Sequence, residues 1–236
     1  MKNILITGAT SGIGRGLAEY YAKAHTVYAC GRNEDALNEL ATFNNINPVK
    51  LDVTDIGSIS AACEHIEKLD ILVLNAGNCE YIDDAKHFDS ALFKRVIDVN
   101  LLALAYCLEV LLPKVSSGGQ LVIVSSSAAF LPLPRAQAYG TSKAAATYLA
   151  KSLAIDLADI DVSVVHPGFV KTPLTDKNDF PMPLAVTVEQ ATIAISQGIA
   201  KRNKDIHFPK RFTFILKFIQ LLPFGVWQFL SKGIKR

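Results

Sequence analysis

Seven short apolar runs alternating with helix-length stretches constrain this chain more than any other feature. The runs are 3–7, 26–30, 48–51, 71–74, 120–125, 161–166 and 205–208. Most are continuous Val/Ile/Leu segments, the pattern of strands covered on both faces of a parallel sheet, not the alternation of a half-exposed one. Helical stretches at 13–24, 34–43, 55–68, 89–112, 138–158 and 188–202 separate them. Such β-α alternation predicts an α/β fold: a doubly wound, mostly parallel sheet of about seven strands. No repeat, low-complexity tract or linker interrupts the first 202 residues. One domain is expected, with 1–205 forming the sheet and the site and 206–236 a basic, apolar helical extension.

Ligands of open α/β sheets bind beyond the carboxyl ends of the strands. The unusual residues of this chain fall at those ends: "TGATSGIG" after the first strand, "GRN" after the second, "LDV" after the third. "NAG" follows the fourth, "SSS" the fifth and "HPGFVKT" the sixth. Six clusters on one rim describe a single site.

In the first cluster Gly8, Gly12 and Gly14 are spaced G-x-x-x-G-x-G. Glycines let the backbone turn tightly against a pyrophosphate, and a helix N-terminus favours its charge. Many strand-to-helix turns need glycine, but the place right after a first strand points to a dinucleotide. A NAD site usually has an acid at the end of the second strand to bond the ribose 2′-hydroxyl. Here Gly31 stands at that position and Arg32 follows. A guanidinium can pair with a 2′-phosphate, so NADP is expected over NAD, although an arginine on an exposed loop is commonplace. Asp52 has two readings, a partner for the adenine amine or a helix-start residue ahead of "TDIGS". Asn75, Ala76 and Gly77 make a tight turn where a cofactor could lie close.

Tyr139 and Lys143, in "YGTSK", sit one helical turn apart on the same face. With T-G-x-x-x-G-I-G, N-A-G, a serine ahead of Y-x-x-x-K, and P-G-x-x-x-T in that order, the chain resembles the short-chain dehydrogenase/reductase family over about residues 3–175. The resemblance implies a single Rossmann domain that moves a hydride between a nicotinamide and a carbonyl or secondary alcohol. Proton transfer at the substrate oxygen needs an acid/base, and tyrosine, with a pKa of about 10, is a poor base near neutrality. A lysine ammonium one turn away would favour the phenolate, making Tyr139 the acid/base and Lys143 its tuner. The family also has the lysine bond the nicotinamide ribose. Among Ser125, Ser126 and Ser127, the family spacing of thirteen residues before the tyrosine selects Ser126 to hold the substrate oxygen. Strand alternation sets the other two on the opposite face. Asn100 matches the asparagine that holds a relay water.

By the same resemblance, Thr10, Ser11, Ile13 and the three glycines contact the cofactor. So do Arg32, Asp52, Val53, Asn75, Ala76 and Gly77, together with Pro167, Gly168, Val170 and Thr172. His166 reads as structural. Leu74 replaces the first of two asparagines often seen before Ala-Gly, a reasonable exchange at the end of a buried strand. The family also implies a homodimer or homotetramer joined through the long helices. A dinucleotide sensor or scaffold without turnover is the opposing reading, but such proteins tend to lose the tyrosine or the lysine.

Cys30, Cys63, Cys79 and Cys107 lack metal-type spacing and no leader precedes the first strand, so reduced thiols, no metal and a cytoplasmic protein are expected. The net charge of +2 conceals an asymmetry: residues 201–236 hold nine Lys/Arg against Asp205 alone, net +8, leaving −6 on the first 200. Within 213–222 the polar residues Thr213, Lys217 and Gln220 form one i, i+4, i+7 stripe. Pro223 and Gly225 stop that apolar run short of a membrane span. The tail is expected to cover the substrate pocket, form a subunit interface, or lie peripherally on the inner membrane face with its cations against anionic lipid. The last reading favours a lipophilic substrate. Nucleic-acid binding is not expected, because the cations sit among apolar residues.

Overall fold

A computed structural model describes residues 1–233. Lys235 and Arg236, counted above in the basic tail, lie outside the described residues. Seven strands run parallel in one sheet, ordered β3-β2-β1-β4-β5-β6-β7. They are β1 (Asn3–Thr7), β2 (Thr26–Gly31), β3 (Ile46–Lys50), β4 (Leu69–Leu74), β5 (Val115–Val124), β6 (Asp161–Pro167) and β7 (Asp205–Phe208). The order reverses between β1 and β4, the switch point where such sheets open a crevice. β3 starts two residues earlier than the apolar run, and Pro48 is tolerated because this is an edge strand. β5 begins five residues early, through Ser116–Gly119, where its register against β4 shifts between Leu69 and Ile71.

Helices cover both faces: α1 (Gly12–Tyr21), α2 (Glu34–Leu40), α3 (Ile56–Cys63), α4 (Ser90–Ile97), α5 (Ala103–Leu111), α6 (Gln137–Asp156), α7 (Val188–Ala200), α8 (Lys210–Gln220) and α9 (Phe224–Ser231). A five-residue π turn, Asp98–Leu102, joins α4 to α5 in one continuous path to Lys114. That path is long and apolar enough to cross a membrane, yet Leu104, Cys107 and Leu111 are buried in the core.

Successive β1 side chains enter opposite cores. Ile4 and Ile6 pack with Leu17 of α1 and Ile195 of α7, whereas Leu5 packs with Ile59 of α3, Leu111 of α5 and Ala146 of α6. Both faces of the strand are therefore apolar, which explains the unbroken runs. α7 is started by a capping box in which Thr187 and Gln190 each bond the other's backbone. On α6, Ala138, Ser142, Ala146 and Ala150 form a buried stripe of small residues. β7 crosses residue 205, so the sheet ends at Phe208 and the two tail helices follow. Between α8 and α9 the chain breaks at Leu221–Pro223, where proline cannot continue the helix.

Candidate active site

β1 ends at buried Thr7, whose hydroxyl oxygen accepts from the backbone N–H groups of Asn75 and Ala76 beyond β4. Asn75 returns the tie by donating its amide to the carbonyls of Thr7 and Gly8. The switch-point crevice is thus braced from both sides. Gly8 and Gly12 have φ of +65° and +52°, a left-handed backbone that favours glycine. A Cβ on Gly14 would lie 2.2 Å from the Gly8 carbonyl oxygen. No side chain caps the N-terminus of α1 and no acid stands in its first turn, so its N–H groups and dipole are available to an anion.

A cavity of about 190 Å³ lies under the tail, and a second, of about 110 Å³, lies at this crevice. The crevice cavity runs from Ile13 past Asn75 and Gly77 to Ser126, Tyr139 and Lys143, and is bounded opposite by Pro167, Gly168, Val170 and Thr172. A Cβ on Gly77 would approach Asn100 Oδ1 to 3.0 Å and Lys143 Nζ to 3.3 Å, so a larger residue would crowd the floor. Asn78, which also lines it, has a buried Oδ1 without a partner. A glycine cradle at a helix N-terminus, a floor cleared of side chains and an unpaired acceptor together fit a dinucleotide.

The nucleotide end lies further along the rim. Arg32 is largely exposed, with its guanidinium 3.6 Å from Asp52 Oδ2. Asp52 accepts from the backbone and hydroxyl of Thr54, while Asp55 is the residue that caps α3. Of its two sequence readings, the helix start therefore belongs to Asp55. Burial opposes ionisation of Asp52, but the Thr54 and Arg32 contacts outweigh it and hold its pKa below the ordinary value. Thr10 packs on Gly31, where a Cβ would meet its methyl at 2.5 Å. Ser11 is exposed, and Val53 packs partly into the core.

At the reacting end the three serines separate. Ser125 donates to the Lys143 carbonyl and contacts the Thr147 hydroxyl at 2.8 Å, so it faces α6. Ser126 accepts from the Ala128 N–H and pairs with the Tyr139 hydroxyl. Ser127 is buried in the following 3₁₀ turn. Lys143 is buried, donates to the Val124 carbonyl at 3.0 Å, and its Nζ lies 5.9 Å from the Tyr139 ring centre.

Burial is the largest influence on both ionisable groups of the pair. Burial pushes the Tyr139 phenol up from 10, the Cys79 thiol adds to this, and the Ser126 hydrogen bond only partly opposes it. Burial brings Lys143 down to about 8, with Cys79 acting the other way.

Asn100 is buried within the π turn. Its side chain accepts from the Asn78 N–H at 2.8 Å and donates to the Asn78 carbonyl and to Ser142 Oγ. It clamps the loop beyond β4 from within the π turn, a distortion frequent at functional sites.

Several contributors had no signal in the sequence. Arg135, with φ +64°, reaches Asp83 and Asp179 and stacks 5.4 Å over the Tyr81 ring. It clasps three loops that meet beside the crevice. Tyr81, Phe169, Phe180 and Phe212 form a chain of ring contacts along them. Leu174 and Thr175 also line the cavity. His166, buried, joins Asp205 on one side to Thr147 on the other.

A family model described as short chain dehydrogenase matches residues 2–181. An uncharacterized oxidoreductase of Myxococcus xanthus is 34% identical, covering 99% of this chain and 98% of that protein. An 11-beta-hydroxysteroid dehydrogenase-like protein of Arabidopsis thaliana is 31% identical over 92% of this chain and 76% of its own length. Among solved structures, a short chain dehydrogenase from Burkholderia cenocepacia in complex with NADP superposes with a TM-score of 0.83, at 24% identity, over 94% of this chain and 98% of that one.

Proposed function

Because this chain belongs to the short-chain dehydrogenase/reductase family and is an NAD(P)-dependent oxidoreductase, we propose that it reduces an apolar ketone or aldehyde, with NADPH as the preferred donor. The observation that carries this reading is the meeting of Ser126, Tyr139 and Lys143 in one cavity that continues to the glycine turn. The dinucleotide supplies the hydride. Ser126 holds the carbonyl oxygen, and Tyr139 gives its proton to that oxygen as the carbon takes the hydride, leaving an alcohol. A phenol, with an ordinary pKa of about 10, carries its proton near neutrality, which suits this direction. Lys143 would hold the nicotinamide ribose and return a proton to Tyr139, while Asn100 fixes the floor.

The NADP preference rests on Arg32 at the end of β2 and on the absence of an acid there. The aromatic chain of Tyr81, Phe169, Phe180 and Phe212 supports an apolar substrate, and a relative named as a steroid dehydrogenase is in keeping with it. Copies pair through the α4–α5 path and α6, whose outer side leaves Tyr148 and Ile155 80% and 84% exposed.

Consumption of NADPH and of NADH, followed against a panel of aliphatic, aromatic and steroid carbonyls, tests the proposal. Turnover of apolar carbonyls with NADPH is expected. Tight cofactor binding with no turnover across the panel would instead mark a dinucleotide sensor.

A further inference from the structure

The tail presents its polarity in an unusual sense. Two of the three stripe residues of α8 turn toward the body: Thr213 is fully buried against His207, and Lys217 pairs with Asp205, whereas Gln220 is exposed. Leu216 and Trp227 complete the attachment by packing with Leu131. What α8 and α9 turn outward is apolar. Phe218, Leu221, Phe224 and Phe229 are 63–82% exposed, with Phe214 and Ile215 more than half exposed beside them. Single exposed apolar residues are ordinary, but a contiguous set of this size is not.

Charge identifies what covers this face. Residues 206–236 contain no Asp or Glu. Exposed Lys210 and Arg211 stand at one end of the face and exposed Lys232 at the other, whereas its centre, from Phe214 to Leu230, has only Gln220 and Gln228 as exposed polar side chains. A two-fold contact with a second copy would set these cationic ends against each other with no acid to offset them. A protein partner would find almost no hydrogen-bonding groups in the centre, where interfaces carry about one per 100–200 Å². A charge-free apolar face between cationic ends matches the depth profile of a bilayer, acyl chains below and anionic headgroups above.

We propose that the outward face of α8 and α9 docks flat on an anionic lipid bilayer, with Phe218, Leu221, Phe224 and Phe229 among the acyl chains and Lys210, Arg211 and Lys232 at the headgroups. The same helix carries Phe212 inward to Phe169, beside the loops of the active-site cavity. Docking would therefore bring those loops near the lipid surface, although it does not depend on the reaction assigned to the site.

Co-sedimentation of the full chain with vesicles tests this, using phosphatidylcholine alone and an equal mixture with phosphatidylglycerol. Binding to the mixed vesicles is expected, weaker by about tenfold or more on phosphatidylcholine alone. Phe218→Glu/Phe229→Glu and Lys210→Glu/Arg211→Glu should each weaken it by about tenfold or more. All four positions are exposed, so unchanged melting temperatures separate lost docking from lost folding. No binding by the intact chain overturns the proposal, as does equal binding to both vesicle types or binding that survives the phenylalanine changes. A lipid-independent dimer dissociated by the phenylalanine changes, with no vesicle binding, would give the face to a second copy.

Discussion

His166 Nδ1 lies 3.0 Å from Asp205 Oδ1, while the other oxygen of that carboxylate takes Lys217. Since His166 Nε2 reaches Thr147 at 3.2 Å, and Thr147 donates to the Lys143 carbonyl, one chain of hydrogen bonds links the tail helix to the helix bearing Tyr139. Burial alone would raise the Asp205 pKa, but the bonds from His166 and Lys217 hold it well below the carboxylate range. A depressed folded pKa stabilises above the unfolded value, about 4, and that stability is lost as pH falls below it. Asp205→Asn should therefore cost about 1–2 kcal/mol at neutral pH and progressively less below pH 4. Urea melts at both pH values check this.

Alanine at each of the three serines should have separate effects. Ser126→Ala is expected to lower kcat by about 10²–10³ with little change in stability. Ser125→Ala removes the bond to the Lys143 carbonyl and should cost about 1 kcal/mol in melting, with a smaller kinetic effect. Ser127→Ala should do neither. Tyr139→Phe should lower kcat by about 10²–10⁴. Steady-state rates beside melting curves distinguish these outcomes, and equal mild losses at all three serines would contradict the assignment.

Lys143 titrates lower folded than unfolded, about 8 against 10.5. Its burial therefore destabilises the fold fully below pH 8. The penalty fades as pH rises from about 8 to 10.5, because there the unfolded chain binds the proton that the folded chain has released. Relative to Lys143→Met, the wild type should gain stability across that window. Denaturation midpoints near neutrality and near pH 10 measure it, and a constant difference between the two proteins would contradict it.

Arg32→Ala should raise the KM for NADPH by about 10- to 100-fold and leave that for NADH within a few-fold. Arginine is the better position to change, because a side chain added at Gly31 would strike Thr10 and disturb the glycine turn itself. Initial rates with both cofactors provide the comparison.

Arg135→Gln removes the ion pairs to Asp83 and Asp179 together. Both carboxylates are well exposed, so global stability should fall by less than about 1 kcal/mol. The loops should nevertheless loosen, raising the KM for the carbonyl by several-fold with that for the dinucleotide unchanged. Faster proteolysis within 173–187 would accompany it.

The sheet and its functional rim were legible because their signals are local: an apolar run makes a strand, and the residues that follow it stand at its carboxyl end. Periodicity was less informative in α8. It set Thr213, Lys217 and Gln220 on one stripe but not which way the stripe faces, which is decided by His207 and Asp205 on a strand packed beneath. The π turn at Asn100 left no trace either, since its residues read as ordinary helix. The Arg135 clasp joins positions 83, 135 and 179, which nothing short of the folded chain brings together. The i, i+4 spacing of Tyr139 and Lys143 showed their proximity, but not that Lys143 would be buried and donate to the Val124 carbonyl.

Trp227 donates its indole N–H to the Pro132 carbonyl at 2.8 Å, three residues before Arg135. The last helix is thus fastened to the very loop that holds the mouth of the site together. Lifting α9 would break that bond and uncover the space beneath Phe130 and Leu131. Whatever grips the tail from outside therefore also bears on the loop that carries Arg135.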